Sequence, residues 1–248
     1  MSKQALRAKT DERFRSNGSS AVCIPIDPLA LSPSPKSVAR YFGGPDYPLS
    51  RKTRPKIHAG IEQGLEMIKP VVSYRAMPVG DIEHVCKNVW PERAIAEIPT
   101  SNMDGHSRYL AVYVGTLGNT LETMRRDLVD RNRMYQSLLL DAVGTAILDL
   151  LGTLCSDIVE CHTKQLGLFT GCRRGLGSNG FSLGSQALLF DLLGAESAGV
   201  HLNEALIMQP IKSISAFTIY SDVGQPKNPG SKCLYCTMKQ CQFRSSRH

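Results

Sequence analysis

The stretch YLAVYVGTLGNTLETMRRDLV, residues 109–129, decides the fold. From Tyr109 to Val114 it alternates Leu110, Val112 and Val114 with Ala111 and Tyr113, the period-two pattern of a strand. Gly115-Thr116-Leu117-Gly118 then forms a tight turn. From about Asn119 a helix follows, with Leu121, Met124, Leu128 and Val129 on one side and charged residues on the other. A strand that turns through glycine directly into an amphipathic helix fixes the first unit of the architecture.

Downstream, a second and largely apolar helix is predicted from about Tyr135 to Thr163. Its stripe is Leu139, Val143, Ile147, Leu151, Leu154 and Ile158, with Gly144 and Gly152 where packing must be close. A glycine-rich loop runs from Gly171 to Gly180. Ser182 is then placed to cap a short helix, Leu183 to Leu193, which Gly194 ends. Two strands are expected near Val200 to Met208 and Ser213 to Tyr220, joined around Gln209-Pro210. Upstream, Ile57, Ile61, Leu65 and Ile68 mark a helix over Lys56 to Ile68. Pro70 stops it, and Val71 to Tyr74 reads as a strand. Residues 21–56, with PIDPLALSPSPKS and GGPDYPLS, read as an extended lead-in of little regular structure. Strands mixed with long helices, without an internal repeat or a regular βαβ alternation, give the class α+β.

At 248 residues the chain suits one domain with appendages. The expected division is a disordered basic tail over 1–20, a folded body over 21–225, and a cysteine-rich basic tail over 226–248. The formal charge of +7 sits in the tails: residues 1–20 carry +3 and residues 227–248 carry +5, which leaves 21–226 at −1. A near-neutral body lacks the clustered basic surface of a nucleic-acid groove, so no nucleic-acid partner is expected. The opening MSKQALRAKTDERFRSNGSS is polar and has no signal-peptide character. The most apolar run, Leu138 to Leu154, is interrupted by Asp141 and Asp149 and reads as a buried helix, so a membrane span is not expected and the chain is placed in the cytoplasm.

The segment from Tyr109 to Tyr220 resembles the AdoMet-binding activation domain family of vitamin B12-dependent methionine synthase. Several pieces carry the likeness in order. They are the Thr116-Leu117-Gly118 turn, the helix start Leu140-Asp141-Ala142-Val143-Gly144-Thr145-Ala146, and the loop Arg173-Arg174-Gly175-Leu176-Gly177-Ser178. The Leu183-to-Gln186 helix start and GVHLNEALIMQPIKSISAF, Gly199 to Phe217, complete the set. Their order and spacing, rather than any one piece, make the resemblance. It implies a twisted antiparallel sheet with long packed helices, carried on a free-standing chain. It also implies a role: binding S-adenosylmethionine so that a cobalamin- or corrinoid-dependent methyltransferase, such as methionine synthase, is reductively remethylated. Cobalamin would reside on that partner, with a separate electron donor.

The resemblance assigns Arg173 to the ligand's carboxylate and Gly177 to close backbone approach. Ser178 stands where the family has tyrosine, and Gly175 and Leu176 replace its serine and proline. Glu204 lies in the Leu-x-Glu piece, where it either faces the ligand or has a structural role at the strand, and Asp149 falls where the family helix carries an acid toward the AdoMet cleft. Tyr220, on the last strand, either flanks the ligand or packs in the core. The alternative to AdoMet binding is a non-catalytic, metal-bearing interaction protein that keeps only the fold.

Eight cysteines in a chain of this character do not suggest a disulfide framework. Cys23, Cys86, Cys155, Cys161 and Cys172 are scattered. Cys233, Cys236 and Cys241 form a Cys-x2-Cys-x4-Cys cluster, which supplies three thiolates to a zinc ion or an iron–sulfur cluster. Spacing does not separate the two, and a Cys233/Cys236 redox pair is a third reading. The histidines His58, His84, His106, His162 and His201 show no ligand spacing, and no dinucleotide or phosphate-binding fingerprint occurs.

Overall fold

A computed structural model describes residues 21–82, 105–171, 173–176, 183–194 and 198–224. Strands β1 (Val22–Pro25), β2 (Val71–Pro78), β3 (Ser107–Thr116) and β7 (Ser213–Ser221) form, with the short β4 (Phe169–Thr170), one sheet in the order β1-β2-β3-β7-β4. Every pairing is antiparallel. The predicted strand and turn at residues 109–118 are the centre of this sheet. β3 extends two residues beyond the predicted limits at each end, and Leu110 to Val114 are all buried rather than alternately so. Helices cover both faces of the strand, and a strand covered on both faces loses the distinction between an inner and an outer side.

Helices α1 (Pro35–Gly43), α2 (Thr53–Met67), α3 (Thr120–Asp130) and α4 (Met134–Gln165) pack together on one face. At 1.5 Å per residue, the 32 residues of α4 span about 48 Å. α4 is long and apolar enough to cross a membrane, but its stripe Leu139, Val143, Ile147, Leu151 and Ile158 is buried in the core against the sheet and neighbouring helices. The two helix glycines sit where side chains close in. A Cβ at Gly152 would stand 3.0 Å from Ile214 Cδ1, and one at Gly144 would stand 3.2 Å from Lys212 Cε. α2 approaches through Gly64, whose added Cβ would meet Val143 Cγ1 at 2.6 Å. The opposite face of the sheet is covered by α5 (Ser185–Leu193), whose Leu188, Leu189 and Leu193 join Leu110, Val112, Val114 and Phe217.

Three predicted segments fold differently. The lead-in is regular: β1 pairs with β2, a 3-10 turn runs over Pro28–Leu31, and α1 packs on α4. Ser34 Oγ accepts from Ser37 N at 3.1 Å and Pro35 occupies the first turn, so the Pro/Ser-rich sequence marks a helix start there and not a featureless linker. α5 begins at Ser185 behind Gly184, with no side-chain cap; Ser182 lies outside the described residues. Gly194 ends it in the left-handed region at φ 55°, as expected. The strand expected over 200–208 is a small hairpin, β5 (His201–Leu202) with β6 (Met208–Gln209). Asn203 breaks it: its Oδ1 accepts from Ala205 N at 3.0 Å and Ile207 N at 2.9 Å, offering the backbone a turn in place of a ladder.

Candidate functional site

The site is best built from the start of β7. Ser213-Ile214-Ser215 alternates, so both serines face the α5 side while Ile214 faces α4. An open groove of about 310 Å³ lies above the serines. Its apolar walls come from Leu176 of the arginine-led loop, Leu183 before α5, and Leu206, Ile207 and Met208 of the hairpin. Its floor is polar: Ser213 Oγ donates to Thr116 Oγ1 at 2.9 Å, and Ser215 Oγ donates to Gln186 Oε1 at 3.4 Å. Gln186 Nε2 donates in turn to the Leu206 carbonyl at 3.0 Å. Ser213, Ser215 and Gln186 are all buried. An apolar cleft with a few fixed polar groups is the usual form of a small-molecule site.

The hairpin presents a second, more polar pocket of about 270 Å³ on its other face, where His201 and Gln209 meet Asn119, Glu122, Arg126 and Ile211. Glu122 is buried there and accepts from Lys212 N at 2.9 Å. Lys212 Nζ reaches Asp141 at 3.0 Å and Thr145 at 2.8 Å, tying the entry to β7 onto α3 and α4.

Arg173 lies at the β7 edge of the sheet on the α4 side. Its Nη1 donates to the Gly152 carbonyl at 2.9 Å, where the missing side chain of Gly152 leaves room for the guanidinium. It is not among the groove-lining residues. Beside it, burial pushes the Cys155 thiol up to about 12 against the pull of the Arg173 charge, which leaves a neutral thiol at physiological pH. Tyr113 is buried at the same place, and burial raises its phenol further, against the opposing pull of Arg173.

Two other residues named as candidate ligand contacts are engaged by neighbours within the fold. Asp149 is exposed on α4 and accepts a hydrogen bond from Tyr41 of α1. Burial and that carboxylate together push the Tyr41 phenol up to about 12. Tyr220 is fully buried, its hydroxyl joined to Tyr74, whose oxygen lies 2.6 Å from His162 Nδ1. Of the two readings of Tyr220 the core one holds, because on the curled sheet its ring faces α4. Burial raises the Tyr220 phenol to about 12 and lowers the His162 imidazole.

Glu204 is exposed in the hairpin turn, next to the wall of the groove. Gly177, Ser178, Cys233, Cys236 and Cys241 lie outside the described residues. Among the described residues no group of three His, Cys, Asp or Glu side chains could hold a metal ion. Sequence reasoning passed over Gln186, Ser213 and Ser215 as site residues. The signal was present in the polar period-two pair Ser213/Ser215 on an otherwise apolar strand.

The fold is that of the MetH reactivation domain. The chain superposes on a crystal structure of that domain bound to AdoHcy with a TM-score of 0.57, at 12% identity, over 84% of this chain and 80% of that one. Identity this low establishes likeness of fold. No protein-family profile and no curated protein sequence matches the chain.

Proposed function

We propose that this chain binds S-adenosylmethionine and acts as a reactivation module for a corrinoid-dependent methyltransferase of the methionine synthase kind. The observation that carries the reading is the fold shared, over most of both chains, with a reactivation domain crystallised with AdoHcy, the product AdoMet leaves after losing its methyl group. When bound, AdoMet supplies a sulfonium methyl group; with one electron from a separate donor, its transfer to oxidised cobalamin on the partner yields methylcobalamin and AdoHcy.

The groove suits part of such a ligand. Its volume lies at the lower end of small-molecule sites, its apolar walls suit a flat heteroaromatic ring, and its hydroxyl and amide floor offers hydrogen bonds. Arg173, which the fold holds on the Gly152 carbonyl outside the groove, is the group we assign to the carboxylate, with Gly177 and Ser178 further along its loop; there the guanidinium would exchange that bond for paired, charge-assisted hydrogen bonds. Glu204 is assigned to the ligand's positive charge. The three tail cysteines Cys233, Cys236 and Cys241 are assigned a zinc ion or an iron–sulfur cluster. A cluster there would relay the electron, and protein purified without oxygen that contains zinc and no iron excludes that relay.

Calorimetric titration with AdoMet tests the reading. Micromolar binding to the parent protein, weakened about 100-fold by Arg173→Ala, supports it, since a lost charged hydrogen-bond pair costs about 2 to 3 kcal/mol. A folded parent that binds neither AdoMet nor AdoHcy, alone or with a cobalamin-loaded partner, overturns it and leaves the metal-bearing interaction protein as the better account.

A further inference from the structure

Leu206 is a branched apolar residue held at φ 60°, in the left-handed region that disfavours side chains. Such a conformation persists only where the surroundings determine it more strongly than the strain opposes it, and it clusters at ligand sites. Here the surroundings are specific. Within the turn, Leu206 N donates to the Asn203 carbonyl at 2.8 Å, and Asn203 N donates to the Ile207 carbonyl at 3.0 Å. The Asn203 side chain accepts from Ala205 N and Ile207 N.

Among the described residues, one side-chain tie reaches in from outside the turn. Gln186, 3% exposed in the first turn of α5, donates its amide to the Leu206 carbonyl, while its Oε1 accepts from Ser215 on β7. A single buried amide therefore couples the strained turn, the helix and the groove floor. The residues that follow the strained position, Ile207 and Met208, complete the groove wall.

We infer that Gln186 is a positioning residue: it holds the Leu206 turn in its left-handed conformation and thereby sets the groove wall against which the ligand's ring packs. The ligand part of this inference rests on the adenosyl-ligand reading above; the turn-holding part does not. Without the amide, the Leu206 carbonyl and the Ser215 hydroxyl each lose a buried partner and the strain is free to relax.

The first measurement is amide hydrogen exchange of the unliganded protein at Asn203, Ala205, Leu206 and Ile207, for the parent, Gln186→Ala and Gln186→Glu. Both variants should exchange there about tenfold faster, because each loses the donor that fixes the turn, while β3 exchange stays unchanged. Adding Leu206→Gly to Gln186→Ala should restore protection, since glycine takes a positive φ without strain, whereas Leu206→Ala should not. Unchanged exchange in both single variants overturns the inference. So does equal rescue by glycine and alanine.

The second measurement is calorimetric titration of the same proteins with AdoHcy, where Gln186→Glu should bind about tenfold more weakly than the parent. If the parent binds and both Gln186 variants bind equally well, Gln186 holds the turn without setting the site, and the inference fails. If the parent itself does not bind, the functional reading falls, while the exchange data still decide whether Gln186 holds the turn.

Discussion

On the α4 face of the sheet, Leu139, Val143, Ile147 and Leu151 are sealed against Tyr74, Ala111, Tyr113 and Ala216. On the α5 face, Leu188, Leu189 and Leu193 seal only part of the surface, and the start of β7 lies under an open groove floored by Ser213, Ser215 and Gln186. The two faces also differ in how they use polar groups. Behind α4 they close on themselves, as in the Tyr74–His162–Tyr220 cluster. Beside α5 they hold a strained turn in place at the edge of a cavity. A face that stabilises excludes space, and a face that binds must keep some open, at a cost in packing.

The sharpest way to break this contrast is to truncate the sealed face. Leu151→Ala should cost about 3 kcal/mol by leaving a cavity between α4 and the sheet, read as a lower urea midpoint at unchanged slope. A loss below about 1 kcal/mol would mean that α4 is not the dominant packing element. Tyr74→Phe comes next. It removes the hydroxyl that touches both His162 and Tyr220, and it should cost about 1 to 2 kcal/mol because buried partners are left unsatisfied. A neutral outcome in the same denaturation assay would show that the cluster is filled by water or carries no net stability.

The same cluster makes a pH prediction. Burial lowers the His162 pKa in the folded state, so as pH falls the unfolded chain takes up that proton first. The stability this residue contributes is therefore present above its ordinary value of about 6.5 and is lost on acidification below it. Denaturation midpoints measured from pH 7.5 to 5 should fall in the parent and flatten in His162→Gln. Parallel curves would remove His162 as the cause. The smallest effect belongs to the groove floor: Ser215→Ala should cost under about 1 kcal/mol, since it deletes one long hydrogen bond at the edge of a cavity. A larger loss would make the groove part of the stabilising core and blur the difference between the faces.

The helices and the central strand were legible in the chain because their signals are local. Apolar spacing over residues 109–129 and 139–158, with Gly118, Pro70 and Gly194 as punctuation, specifies β3, α3, α4 and the ends of α2 and α5 within a few residues. The lead-in was misread because proline and serine were weighed as breakers when Ser34-Pro35 begins α1. The hairpin was misread because its apolar residues suggest a strand, while the Asn203 side chain claims the backbone for a turn.

The candidate site was harder to read for a different reason. Arg173 can be singled out from its glycine loop, but its placement against Gly152 depends on how α4 crosses the sheet. Asp149 and Tyr220 have suitable chemistry, and only packing shows that Tyr41 engages the first and the core encloses the second.

By itself the sequence determined the α+β class, the order of the main elements and the placement of charge in the two ends, since each follows from propensities and periodicities within a few turns of chain. Tertiary structure alone decided which polar groups meet. Gln186, Leu206 and Ser215 come from α5, a hairpin turn and β7, and converge only when the sheet curls and α5 docks. No local pattern records that convergence, because side-chain hydrogen bonds between distant segments depend on the relative placement of whole elements.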